Sequence, residues 1–337
     1  MKVTLADIAK ATGFSVNTVS HALSGKPDIS EKTRLMICET AEKMGYIGNY
    51  AASCMRTGKS MTVAMIIPDI KNPYFSVVIR EIETLLFKSG YTVAVFNTNE
   101  DAEFERNAIN ASISRNMDGI ILCPTQKSIE NIEFLRNSNI PYILLGRHFD
   151  DLRDSFVGHD DEKGGFLATR HLIQLGHKNI AFFNADQRIS CSNDRLSGYL
   201  RAKEEFGVPH DPNLVINLST TARFGDMMII DRFFLDHPEV TAVVAFNDLL
   251  AFQTIYFLQK RGYRVPEEIS VVGFDNISSD FTLPFPLTSI SVSKKEMAEV
   301  SAKLLLNMIK AKKKSEPRQI TLPCQIFVRD STKKVKI

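Results

Sequence analysis

From Met61 onward the chain repeats one pattern: a short, nearly continuous apolar run, a break, then a stretch with helical spacing. The runs "VAMIIP", "YTVAVFN", "DGIILCP" and "PYILLG" come first, separated by helical stretches of about 73 to 89, 102 to 116 and 128 to 138; "NIAFFN", "TAVVAF" and "ISVVGF" resume the pattern. Strands apolar at every position, alternating with helices, predict parallel sheets covered on both faces. Two such sets imply two α/β subdomains, and in open sheets of this kind ligands bind beyond the carboxyl ends of the strands. A cleft between the subdomains is the expected site.

The first 60 residues follow another rhythm. In "LADIAKATGFSVNTVSHAL" apolar residues recur three or four apart at Leu5, Ile8 and Ala9, then at Val16, Val19 and Leu23, so two short helices follow one another. Neither is stable alone in water. Thr4 and Asp7 form a capping-box pair and Gly13 ends the first helix. After the turn-forming "SGKPD", Ser30 caps a third helix whose predicted apolar face is Leu35, Cys38 and Ala41, flanked by Ile37 and Met44. Three short helices with a tight turn make a helix-turn-helix unit.

Composition narrows the function. The chain has 337 residues and a net charge of +2, but residues 1 to 60 carry eight Lys/Arg against five Asp/Glu while the remainder carries 33 against 34. The positive excess sits on the helix-turn-helix. Five scattered cysteines (Cys38, Cys54, Cys123, Cys191 and Cys324), with no Cys-x-x-Cys, suggest neither a disulfide framework nor a zinc knuckle. With no apolar leader or run of about 20 apolar residues, a cytoplasmic protein without membrane or metal is expected. Nucleotide-binding, hydrolase and metalloprotease motifs are missing, so no catalytic residue is assigned and no cofactor is expected. His171 and His177 in "RHLIQLGH" read as capping or packing residues.

The string from Val3 to Asn49 resembles the DNA-binding headpiece of the lactose/galactose (LacI/GalR) repressor family. The likeness continues through "NPYF", "DGII", "GGFLATRHLIQLGHKNIAF", "DRLSGYLRA", "FNDLLA", "VVGFDN" and "PLTSI", and so spans nearly the whole chain. It implies a helix-turn-helix domain (1–48), a hinge helix and linker (49–60), and a periplasmic-binding-protein-like effector-binding and dimerisation domain (61–337). Within the last, the expected subdomains are about 61–158 with 289–318, and about 159–288 with 319–332.

The resemblance places the second helix in the major groove with the first across the backbone. Val16, Asn17 and His21 fall at base-reading positions: valine can cover a thymine methyl, asparagine can pair with adenine, and histidine can donate to or accept from a base edge. Thr4, Ser15, Thr18 and Ser20 suit phosphate contacts, with helix capping as the plainer reading. In the linker, Met55 falls at the family's minor-groove wedge position and Ala52 one turn earlier on the same face. Gly48 replaces the usual proline and Ser53 a frequent arginine, which loosens this segment.

For the cleft, the resemblance carries effector contacts onto Arg195, Asn247 and Asp275. A carboxylate, an amide and a guanidinium together suit a polyol, the plainer reading of Arg195 and Asp275 being a salt bridge across the cleft. Phe75 matches a ring-stacking position, with Tyr74 beside it; Phe224, Arg147 and Asp161 complete the expected set. The function implied is a homodimeric, effector-controlled repressor of carbohydrate-use genes on a pseudo-palindromic duplex operator, the effector being a sugar or sugar phosphate. A purine-type corepressor and a two-lobed binding protein without regulatory role are the alternatives.

Overall fold

The computed structural model of the chain describes residues 3–48, 54, 58–218, 224–280, 285–311 and 316–335, and side chains within them except 224–227. The chain divides into two units, 1–60 and 61–337. The expected DNA contacts Ala52 and Met55 lie outside the described residues.

In the first unit, α1 (Leu5–Thr12) starts at a capping box: the Thr4 backbone N–H donates to the Asp7 carboxylate at 2.9 Å, and the Thr4 hydroxyl accepts from the Asp7 N–H. Gly13 ends it in the left-handed region, φ +74°, where a Cβ would be strained. Helices α2 (Val16–Leu23) and α3 (Glu31–Lys43) are capped by Ser15 and Ser30, whose hydroxyls accept from Thr18 N–H and Thr33 N–H. The shared core is Ile8, Ala9, Val19, Ala22, Ile37 and Ala41. The face predicted for α3 is corrected here: Leu35 is 58% exposed and Cys38 is exposed, while Ile37 is fully buried. Ile37 and Ala41 lie one turn apart, as Leu35, Cys38 and Ala41 also nearly do. Helical spacing allows either face, and packing against α1 and α2 selects one.

The second unit holds two six-stranded sheets. The first comprises β1 (Thr62–Ile67), β2 (Thr92–Asn97), β3 (Gly119–Leu122), β4 (Tyr142–Leu145), β5 (Phe156–His159) and β11 (Gln319–Leu322), in the order β11-β5-β4-β3-β1-β2 and all parallel. The second comprises β6 (Ile180–Asn184), β7 (Val215–Asn217), β8 (Ala242–Ala245), β9 (Ser270–Phe274), β10 (Thr288–Val292) and β12 (Cys324–Phe327), in the order β12-β10-β9-β8-β6-β7, with only β10 and β12 antiparallel. Both faces of the central strands are buried. In β1, Val63, Met65 and Ile67 join one core while Ala64 and Ile66 join another with α5 (Ala102–Ser114) and α6 (Ile129–Asn137).

The chain passes between the sheets at Asp160, Ser293 and Pro323. This moves the expected subdomain boundaries: β10, including Ser289–Val292, belongs to the second sheet, and β11 (Gln319–Leu322) to the first. The two segments of the first subdomain are therefore 61–159 and 294–322. Which sheet a short strand joins depends on its hydrogen-bond partner, here Thr288 beside Val272 and Gln319 beside Phe156. Its own residues do not encode that choice.

Candidate DNA-reading helix and effector cleft

On α2, Val16 is 47% exposed and Asn17 is exposed. His21 is half-buried because its ring is held: Nδ1 lies 2.6 Å from Asp28 Oδ2, and Lys26 Nζ lies 3.1 Å from Nε2. Lys26 and Asp28 were legible only as turn residues. The small hydroxyls already have local work, since Thr4 Oγ1 donates to Asp7 at 2.7 Å and Ser15 Oγ lies 2.9 Å from Thr18 Oγ1. The backbone carbonyl of Ser20 accepts from Ser24 Oγ. Capping accounts for Thr4 and Ser15, and Thr18 is held by the Ser15 cap.

In the second unit, seven of the eight expected effector residues line one cavity: Tyr74, Phe75, Arg147, Asp161, Arg195, Asn247 and Asp275. The eighth, Phe224, opens the helix Phe224–Asp236, and its side chain lies outside the description. Topology explains the convergence. Arg147 follows β4, Asn247 follows β8 and Asp275 follows β9, so their side chains gather where the strands end. Asp161 begins α7 (Asp161–Gln174), Arg195 lies in α8 (Ser190–Glu205), and Tyr74 and Phe75 stand in the first turn of α4 (Pro73–Phe87), where Asn72 Oδ1 accepts from Tyr74 N–H.

The two arginines are already engaged. Arg147 grips Glu100 with two nitrogens, at 2.9 and 2.7 Å, and donates to the Pro124 carbonyl. Arg195 donates to Asp161 at 2.7 Å and to the Phe246 carbonyl, and its guanidinium stacks 3.5 Å from the Phe274 ring centroid. The ion pair of Arg195 is thus with Asp161, and not with Asp275. Both pairs are buried, so removing either partner strands a charge.

Asp275 stands apart. It is 7% exposed, no group among the described residues hydrogen-bonds its carboxylate, and its backbone takes φ +101°, a conformation that a non-glycine residue holds only under constraint. The constraint comes from both sides: Asp275 N–H donates to the Ile290 carbonyl, and Lys294 Nζ donates to the Asp275 carbonyl at 2.8 Å. Asn247 uses Oδ1 to cap α10 (Asp248–Lys260) by accepting from Leu250 N–H, which leaves its Nδ2 donors toward the cavity. The sequence reading missed Glu100 and His159. The latter ends β5, with Nε2 3.0 Å from the Tyr74 hydroxyl and Nδ1 buried without a partner. A lone histidine in "GHDD" gave no signal.

Burial sets the ionisation. It pushes Asp275 up to about 7, against the pull of Arg195 and Lys294, and pushes the neighbouring Asp248 up to about 8. His159 is driven down to about 3, first by burial and then by Arg195 and Lys294, so its ring is neutral. Both carboxyls have folded pKa values above their unfolded value of 3.8. Folding therefore takes up protons in this range, and the associated stability is present at low pH and lost as pH rises through about 7 to 8. His159 works oppositely but only below its unfolded value of 6.5. The ligand-free protein is expected to lose about 1 kcal/mol of stability per pH unit between about pH 6.5 and 8.5. Urea titrations across that window check it, and Asp275→Asn flattens the slope.

Among the described residues no helix is long and apolar enough to cross a membrane, and no cluster of three or more His, Cys, Asp or Glu is placed to hold a metal.

Residues 4–49 match the model for bacterial regulatory proteins of the lacI family, and residues 60–330 match that for periplasmic binding proteins and the sugar binding domain of the LacI family. The chain is 32% identical over 336 residues, 98% of each chain, to the HTH-type transcriptional regulator DegA of Bacillus subtilis. A LacI family transcriptional regulator from Enterococcus faecium, solved with bound ribose, is 31% identical with a TM-score of 0.70, covering 82% of this chain and 100% of that one. The lac repressor dimer bound to operator and the anti-inducer ONPF shares the fold at 22% identity, TM-score 0.83, over 99% of this chain and 100% of that one. With a matched headpiece, a matched effector domain and a relative aligned end to end, the chain belongs to the LacI family of DNA-binding transcription regulators and is not an enzyme.

Proposed function

We propose that the chain is a homodimeric repressor that binds a pseudo-palindromic duplex operator in the cytoplasm, is controlled by an uncharged sugar held between its subdomains, and regulates carbohydrate use. A two-fold dimer calls for a two-fold site. The observation that carries the effector class is the pairing of charges in the cleft. Arg147 and Arg195 are neutralised by Glu100 and Asp161, no lysine lines the cavity, and the group left without a partner is the Asp275 carboxylate. Such a cleft offers acceptors for hydroxyls, the Asn247 amide as donor, and the Tyr74 and Phe75 rings as walls. A phosphate would meet Asp275 with no spare cation to offset the repulsion. This reading sets aside the sugar phosphate of the wider expectation, and the ribose held by the Enterococcus faecium relative supports it.

Effector binding then alters the angle between subdomains, and operator affinity shifts by the effector's differential affinity for the two states, typically about 1 to 3 kcal/mol. Selection from a random duplex pool at one stated salt concentration, with and without a cell extract, tests the DNA half. An enriched palindrome supports it, and no enrichment overturns it. Thermal-shift titration with ribose, glucose and fructose, each beside its phosphate, tests the ligand half: a neutral sugar should raise the midpoint where its phosphate does not. A purine corepressor is the second reading, since the PurR repressor of Aliivibrio fischeri is 28% identical over 97% of this chain; a purine base that strengthens operator binding would favour it.

A further inference from the structure

The DNA-reading face of α2 carries a device beyond the three residues expected to touch bases. His21 sits four residues after Asn17, on the same face of the helix. Its ring is fixed from two sides, by Asp28 at Nδ1 and Lys26 at Nε2. The turn after α2 brings them there: Gly25 takes φ +67°, its N–H donates to the Ala22 carbonyl, and Lys26 N–H donates to the His21 carbonyl. The chain thereby doubles back beside the ring before Ile29 re-enters the core. A carboxylate only accepts and an ammonium only donates. Nδ1 therefore carries the hydrogen, and Nε2 presents a lone pair.

We propose that Asp28 is a positioning residue: by holding Nδ1–H it fixes the His21 ring so that Nε2, which Lys26 caps until a base replaces it, offers an acceptor to the major groove, where it meets an exocyclic amine, adenine N6 or cytosine N4. The inference rests on the reading of α2 as the base-contacting helix. Guanine and thymine present acceptors at the corresponding edges, which a fixed lone pair repels. When Nε2 engages a base, the Lys26 ammonium transfers to a neighbouring phosphate, which adds affinity without sequence information. A ring released from Asp28 adopts either tautomer and accepts either kind of base.

The test uses the full-length protein and the duplex enriched from the random pool, with each base pair replaced in turn. One position per half-site should favour an amine-bearing base and lose that preference in His21→Ala. Asp28→Ala should reduce discrimination at that same position about tenfold and admit guanine, leaving other positions unchanged. Asp28→Asn, which keeps an acceptor oxygen, should retain the wild-type order of bases. Asp28→Ala with wild-type discrimination, equal weakening at all positions, or a wild-type preference for guanine at the His21 position would each overturn the proposal. If His21→Ala changes no position, the base-reading assignment itself fails, a result separable from any effect at Asp28.

Discussion

Asp275→Asn is expected to give a repressor that holds its operator but no longer answers its effector, with effector affinity lowered at least about 100-fold, the scale of losing two hydrogen bonds to a charged acceptor. The substitution keeps the shape of the side chain and removes the charge. Arg195 and Lys294 attract the wild-type carboxylate only through space, no described residue hydrogen-bonds it, and it sits in a wall that holds it near φ +101°. A ligand hydroxyl that donates to the carboxylate offsets the cost of burying that charge. The ligand-free variant should therefore be no less stable than wild type, so lost response cannot be assigned to unfolding. Calorimetry with the responding sugar, alongside operator binding with and without it, reads both quantities. Unchanged effector affinity would remove Asp275 from the site.

Gly198→Ala should cost about 2 to 4 kcal/mol of stability, at or beyond the upper end of ordinary overpacking. A Cβ at Gly198 would stand 1.9 Å from the Glu162 carbonyl oxygen and 2.6 Å from the Phe166 nitrogen, and one at Gly165 would stand 2.1 Å from the Arg195 carbonyl oxygen. Helices α7 and α8 thus meet backbone to backbone, and no side-chain rotation can make room. Separating them also moves Asp161 and Arg195, which ride on the same two helices and are 2.7 Å apart. Effector affinity should fall with stability. A urea midpoint equal to that of wild type would show that the helices part without cost.

These cases divide what is local from what is not. The three headpiece helices, their caps at Thr4, Ser15 and Ser30, and seven strand cores were readable because capping and hydrophobic periodicity act within a few residues. The cleft could be anticipated from the α/β rhythm, since strands that run parallel end at one edge, and the resemblance then pointed to the residues there. Other features escaped. Leu35 and Ile37 are both apolar at helical spacing, and only the position of α1 and α2 buries the second. β10 and β11 are too short to declare a sheet, and their pairing with β9 and β5 decides it. Gly165 and Gly198 stand in stretches that carried the resemblance, yet their reason exists only where two helices cross.

The partners of charged groups divide the same way. Sequence alone determined that an arginine, an asparagine and acids would face one opening, and that a histidine would sit on α2 four residues after Asn17. Only the tertiary structure decided that Arg147 holds Glu100, that Arg195 holds Asp161, that Asp275 has no hydrogen-bond partner among the described residues, and that His21 is clamped by Asp28 and Lys26. The physical reason is range: capping and amphipathic spacing operate along the chain, whereas a hydrogen bond or ion pair goes to whichever polar atom the packed backbone brings within about 3 Å.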